Sequence, residues 1–351
     1  MGHASRVPGG GAEIRNPKSE IRNSTPVVKP MGKKILKVLM ALGVLIVIFI
    51  IVAVWTVWKR PLKVDAMFSR MALGKIGFEK TTVAIPDGKM TVWVGGEGPC
   101  MVLLHGAGDQ AGAWARMVPP LVEHYRVVIP DLPGHWKSDP KTGPLGIDQV
   151  LSGLEALMET TCAGEPAILV GNSMGAWISM LYAVEHPERV ERLVAINGGA
   201  IREDNPQVNL FPTTRAEAHA TMKALMGPAT PPVPDFVLDD VIRHSRVGPA
   251  GRLAQTADAM DAFLLDGRLN EVTVPVELVW GDADGLLTLE YAQRLLDGLP
   301  RARLHTVHGC GHVPQRECPD KTLEVLQTAL ALPPVEVAVV EEPPTEEEET
   351  P

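Results

Sequence analysis

Gly171-Asn-Ser173-Met-Gly175 stands between an apolar, strand-like run at 167–170 and a helix-like run at 177–185. A G-x-S-x-G pentapeptide in that setting is the pattern of a nucleophile elbow, a turn so sharp that its serine is held in strained backbone. Glycines two before and two after Ser173 keep side chains out of the place where strand and helix pass closest. The turn would lift the Ser173 hydroxyl clear of a sheet and aim the Met174 N–H at an oxygen gathering negative charge. A serine hydroxyl is a poor nucleophile unless a histidine takes its proton and a carboxylate holds that histidine in the right tautomer. The chain offers both downstream, in the order Ser, Asp, His. Gly281-Asp-Ala-Asp284 follows the strand-like run 276–280, and Asp284, beyond the first turn, is the expected acid, with Asp282 as its rival. Val307-His-Gly-Cys-Gly-His312 follows the last strand-like run; His312 is the expected base, because His308 sits too near the strand end.

An oxyanion hole needs two backbone donors. Met174 N–H would supply one, and the loop His105-Gly-Ala-Gly-Asp109 the other, with Ala107 as the expected donor and Gly108 as the alternative. The remaining histidines have structural explanations: His105 and His135 order turns, His124, His186, His219 and His244 lie on helix surfaces or ends, His305 lies in the last strand and His3 in the N-terminal tail. The implied chemistry is acyl transfer through an acyl-enzyme, which calls for no metal and no organic cofactor.

These residues need a scaffold that brings strand ends together. Thr82-Val-Ala-Ile and Met90-Thr-Val-Trp-Val flank Pro86-Asp-Gly88, which predicts an antiparallel hairpin. Apolar runs at 101–105, 126–130, 167–170, 192–196, 276–280 and 303–307 predict strands covered on both faces. Helix candidates at 114–124, 148–160, 177–185, 289–298 and 322–330 alternate with them. A hairpin followed by β-α repeats predicts a doubly wound α/β domain with a mostly parallel sheet. Residues 201–270 break the rhythm: helix-like pieces at 215–225, 235–244 and 253–265, without a strand signal, predict an inserted helical cap, leaving 79–200 and 271–332 as the core.

The 351 residues carry their charge unevenly. Residues 1–37 balance at +6 and residues 333–351 at −7, within a total of −9, which leaves about −8 between them and argues against a nucleic-acid partner. The first segment, 1–37, contains the repeat Glu13-Ile-Arg-Asn16 and Glu20-Ile-Arg-Asn23 and is expected to be disordered, with Met31 as a candidate true start. The Pro- and Glu-rich tail 333–351 is expected to be disordered too. Residues 38–58 hold 21 residues without a charge, close with Trp55 and Trp58 and are followed by Lys59 and Arg60, the pattern of an uncleaved transmembrane anchor. The stronger positive cluster on its N-terminal side predicts a cytoplasmic tail and an extracytoplasmic catalytic domain, periplasmic in a bacterium. Residues 59–78 form a mildly amphipathic juxtamembrane linker that either lies on the membrane surface or packs on the domain. Cys100, Cys162, Cys310 and Cys318 show no metal-ligand spacing, and free, mostly buried thiols are the expectation.

Taken together, the His105-Gly loop, Asp131-Leu-Pro-Gly-His135 with Ser138, the elbow at 171–175, Gly281-Asp-Ala-Asp284 and the run from Gly309 to Pro319 resemble the α/β-hydrolase superfamily over residues 80–332. With the N-terminal anchor, the chain is similar to membrane-bound monoacylglycerol-lipase-type members and, more loosely, to bacterial C–C bond hydrolases with the same G-N-S-M-G. The resemblance implies Ser173 as nucleophile, Asp284 as acid and His312 as base, acting on a small-molecule or lipid ester. It also implies alternatives on the same triad, an aminopeptidase or a cofactor-free haloperoxidase among them, and at the far end a silent binding module. Haloalkane dehalogenases and epoxide hydrolases would need an aspartate at 173. Three departures stand out: Trp136 where the family has glycine, expected to reshape the pocket rim; Ala176 after the elbow; and H-G-A-G instead of H-G-G-G.

Overall fold

The computed structural model describes Gly2, residues 32–203 and residues 208–335. The expected disorder of 1–31 and of most of the acidic tail, and the start at Met31, lie outside the described residues. The chain divides into two compact units, Met1–Val52 and Ala53–Pro351. Helix α1, Lys33–Lys59, has no buried residue and is long and apolar enough to cross a membrane.

The second unit continues with α2 (Pro61–Lys75), β1 (Glu79–Ile85), β2 (Gly88–Gly95), β3 (Cys100–Leu104), α3 (Val118–Leu121), β4 (Arg126–Pro130), α4 (Ile147–Thr161), β5 (Ala167–Asn172) and α5 (Met174–Glu185). After β6 (Val190–Ile196) come α6 (Arg215–Leu225), α7 (Asp235–Val247), α8 (Pro249–Leu253) and α9 (Ala257–Met260). Then follow β7 (Val276–Gly281), α10 (Leu289–Gly298), β8 (Ala302–Val307), α11 (Pro314–Glu317) and α12 (Pro319–Ala331). The eight strands form one sheet in the order β1-β2-β4-β3-β5-β6-β7-β8, parallel from β4 to β8. The hairpin pairs Ile85 with Gly88 across the expected turn. Alternation along β3 separates two apolar layers: Val102 and Leu104 pack with α4 and α5, and Met101 and Leu103 pack on the other face with Leu326 of α12. The expected α/β-hydrolase fold is therefore present.

Two expected helices are broken. Within 114–124 only the single turn α3 forms, because Pro119 and Pro120 cannot donate the hydrogen bonds of a helix running through them. The stretch 253–265 splits into short turns, and Thr256 donates its hydroxyl to Leu145 O and Leu253 O, so tertiary bonding overrides the helical period. The expectation of free thiols is corrected: Cys100 pairs with Cys162, and Cys310 with Cys318. Each pair is brought together by the fold, with Cα–Cα separations of 5.9 and 6.2 Å, which no local spacing announces.

Of the two options for the linker, α2 takes the packed one on at least one face. Ala66, Arg70 and Leu73 are buried against the domain. Arg70 donates to Asp131, and its guanidinium lies between the rings of Trp93 and Trp136, at 5.5 and 5.0 Å. Trp136 has φ 46°, a left-handed backbone in which glycine is at ease and tryptophan is not. Its ring stacks on Arg70 of α2 and so clamps this helix.

Candidate active site

Ser173 sits at the C-terminal end of β5 with φ 53° and ψ −118°, and its N–H donates to Ile196 O on β6 at 3.0 Å. Such backbone costs on the order of 1–3 kcal/mol and persists only where the surroundings enforce it. Here they do: a Cβ on Gly171 would lie 2.3 Å from the Gly175 carbonyl carbon, and one on Gly175 would lie 2.3 Å from Leu104 O. Helix α5 starts at the next residue, which puts its positive end at the serine.

His312 Nε2 lies 2.9 Å from Ser173 Oγ, and His312 Nδ1 lies 2.8 Å from Asp284 Oδ2. The three residues expected from sequence are thus brought into one line. Asp284 is buried, and its carboxylate also accepts from Asn197 Nδ2 at 2.8 Å and from the N–H groups of Leu286 and Leu287 at 2.8 and 3.0 Å. The two N–H groups hold Oδ1, and Asn197 takes one side of Oδ2 and leaves the other for the imidazole. The rivals Asp282 and His308 pair with each other instead, at 2.9 Å, and Asp282 accepts from Gly309 N–H, a loop carboxylate closing a turn.

The loop from His105 to Asp109 runs against the elbow: a Cβ on Gly106 would stand 3.1 Å from Ser173 Cβ. Gly108 N–H donates to His135 Nε2 at 3.0 Å, so the alternative donor is already engaged. Ala107 is exposed, and neither its N–H nor that of Met174 has a hydrogen-bond partner among the described residues outside the helix ladder. His135 is buried, and burial pushes its imidazole well below the ordinary range, with His105 adding to the effect. It therefore stays neutral near pH 7, its Nδ1–H given to Pro133 O and its Nε2 free to accept. His244, from α7, gives its Nε2–H to Gly108 O at 3.2 Å, so the same residue is held through both its N–H and its carbonyl.

Several supporting residues escape sequence reasoning. Asn172 donates to the carbonyls of Ile196 and His312 and accepts from Gln315, tying the elbow to the base loop. Asn197, in left-handed backbone at φ 42°, links Gly281 N–H to Asp284. An asparagine directly after a strand that ends at the site was the available signal, since its side chain tolerates that conformation. Arg316 forks onto Asp109 of the 105–109 loop at 2.9 and 2.7 Å and reaches Asp65 of α2 at 3.1 Å. The segment between β6 and β7 also touches the site: Leu225 O accepts His312 N–H at 2.7 Å, and Ala224 O accepts Gly285 N–H at 2.8 Å. A cavity of about 530 Å³ in that segment is lined by Met222, Lys223, Met226, Val233 and Ala283, beside the acid loop rather than at the serine.

The sequence model of the Alpha/beta hydrolase family matches residues 101–325, which span β3 to α12 and all three site residues. The chain belongs to the alpha/beta-hydrolase family. Among sequence relatives, a 2-hydroxy-6-oxononadienedioate/2-hydroxy-6-oxononatrienedioate hydrolase of Pseudomonas putida is 31% identical over 276 residues, 72% of this chain and 92% of that one. A hydrolase of the same description from Dechloromonas aromatica is 31% identical over 248 residues, 63% of this chain and 83% of that one. Among solved structures, a membrane phospholipase A described as a bacterial virulence factor superposes with a TM-score of 0.65 at 25% identity, covering 83% of this chain and 97% of that one. This alpha/beta hydrolase is an enzyme of the hydrolase class, and its neighbours include lipase- and esterase-type members.

Proposed function

We propose that this chain is a membrane-anchored serine hydrolase that cleaves carboxylic esters with apolar, lipid-like acyl groups. The observation that carries the reading is the continuous line of contacts from Ser173 Oγ through His312 to Asp284, 2.9 and 2.8 Å long. In this reading Ser173 attacks the ester carbonyl as His312 Nε2 takes its proton. Asp284 holds the Nδ1–H tautomer and stabilises the imidazolium. The N–H groups of Met174 and Ala107 receive the oxyanion. His312 returns the proton to the leaving alcohol, and water activated by the same histidine releases the acid. Removing one oxyanion-hole donor typically costs about 2.7–4 kcal/mol, so two such donors would make a major contribution to the rate.

Residues 201–270 act as a cap over the pocket, and α1 as the anchor, with the N-terminal tail in the cytoplasm and the catalytic unit outside it. The two disulfides suit an oxidising compartment and support that orientation. The lipid-like substrate is favoured by the anchor and by the likeness to the membrane phospholipase A. A second reading, a C–C bond hydrolase on the same triad, is favoured by the two relatives at 31% identity. Turnover of p-nitrophenyl esters from acetate to palmitate, with monoacylglycerol and a 2-hydroxy-6-oxodienoate alongside, separates the two. Rising kcat/KM toward the longer esters supports the leading reading; dienoate cleavage without ester turnover replaces it with the second.

A further inference from the structure

Helix α2 carries apolar side chains on both of its faces. An amphipathic helix on a soluble domain turns its apolar side to the core. On α2 the apolar Ala66 and Leu73 are buried together with Arg70, which donates to Asp131, while Ser69 and the more exposed Asp65 bond with Gln110 and Arg316 at the edge of the contact. Met67, Phe68 and Met71 stand on the opposite face, 46%, 61% and 50% exposed. Beside them runs a groove of about 250 Å³ lined by Met67, Met71, Lys80, Trp93, Trp136 and Lys137. The Trp93 indole N–H is itself buried and has no partner among the described residues. Lys63 and Lys75 are exposed on α2 itself, and only Arg60 separates this helix from the end of α1.

Outward-facing apolar side chains, ringed by lysines and tryptophans and continuous in sequence with a helix of membrane-spanning length, fit one kind of surrounding. That is the interface of a bilayer with anionic headgroups, where apolar side chains reach the acyl boundary, indoles sit at headgroup level and ammonium groups meet phosphates. We propose that the exposed face of α2 and its groove form a lipid-contact surface. In it Met67, Phe68 and Met71 enter the acyl boundary, and Lys80 and Lys137 hold the phosphate of an anionic phospholipid. The inference rests on α1 being a membrane anchor. It adds that the catalytic unit lies against the leaflet through α2 instead of hanging free on a tether.

Because all four cysteines are in disulfides, one introduced cysteine gives a unique spin-label site. The full chain is placed in nanodiscs of phosphatidylglycerol or of phosphatidylcholine, with a nitroxide on Ile46→Cys, Phe68→Cys, Met71→Cys or Glu79→Cys. Collision with oxygen and with a water-soluble nickel chelate reports depth. In phosphatidylglycerol discs the labels at 68 and 71 should favour oxygen about threefold more than the label at 79, as expected for side chains a few ångströms below the headgroups. Adding Lys80→Glu and Lys137→Glu should move both labels toward water, and phosphatidylcholine discs should do the same. If the label at 46 is deep while those at 68 and 71 match 79, the lipid-contact surface is overturned and the anchor stands. If the label at 46 is itself in water, the anchor fails and this surface with it. Equal depth in both lipids, unaffected by the glutamates, overturns the anionic headgroup site.

Discussion

Replacing Arg316 with glutamine removes a guanidinium that ties the 105–109 loop, the loop of His312 and α2 together. The fork onto Asp109 and the contact to Asp65 are charge-assisted, and such bonds contribute about 1.5–3 kcal/mol when shielded from water. The side chains of Arg316 and Asp109 are 29% and 17% exposed, so solvent screening takes part of that away. We set the loss of stability at about 2 kcal/mol, a fall in Tm of roughly 5 °C for a domain of this size. Asp109 lies two residues after Ala107, so slackening of this loop should also lower kcat about tenfold with KM little changed, a loss of about 1.4 kcal/mol of transition-state stabilisation. Burial by itself would push the Asp109 carboxyl up, but the charge and hydrogen bonds of Arg316 outweigh it and hold the group below its ordinary value of 3.8. A carboxyl depressed in the folded state stabilises above its unfolded pKa and loses that contribution as pH falls through the folded one. The stability gap between wild type and Arg316→Gln should therefore be widest at neutral pH and narrow as pH falls into the acid range, through the raised value of the variant and then the lowered one of the wild type. Adding Asp109→Asn, which removes the orphaned charge, should recover part of the stability but not the rate. Thermal unfolding against pH, with ester kinetics on the same samples, reads all three. A variant with wild-type Tm and kcat, or a gap that widens in acid, would refute the reasoning.

The two neighbouring aspartates should separate cleanly: Asp284→Asn should lower kcat on p-nitrophenyl esters by about 10⁴ through loss of the tautomer hold, while Asp282→Asn leaves it within about twofold. Replacing Cys310 and Cys318 with serine opens an eight-residue loop. That change should destabilise by about 2.5 kcal/mol and release the segment carrying His312, measured as a lower Tm with a lower kcat.

Much of this arrangement is legible in the chain because it is local. The elbow declares itself through Gly171 and Gly175, whose missing side chains the backbone demands, and Asp284 and His312 follow strands whose apolar runs are unmistakable. What stays hidden depends on contacts between distant segments. Cys100 meets Cys162 only once β3 and α4 are placed, and Arg316 finds Asp109 across 207 residues. Asn197 looks like an ordinary loop residue until β6 and β7 pair and bring Gly281 and Asp284 to its side chain. Trp136 reads as an anomaly in a turn that favours glycine, and its reason is a ring stacked on an arginine more than sixty residues earlier in the chain. The linker's character was ambiguous for a related cause. Periodicity reports that a helix has two unlike faces, but not which of them meets the protein.

The central claim is that Ser173 is the atom that attacks. Intact mass spectrometry after treatment with a fluorophosphonate tests it directly. Wild type should gain the mass of one phosphonyl group, mapped to the peptide containing Ser173, and Ser173→Ala should gain none. An unlabelled wild type, or equal labelling of the alanine variant, would contradict the account.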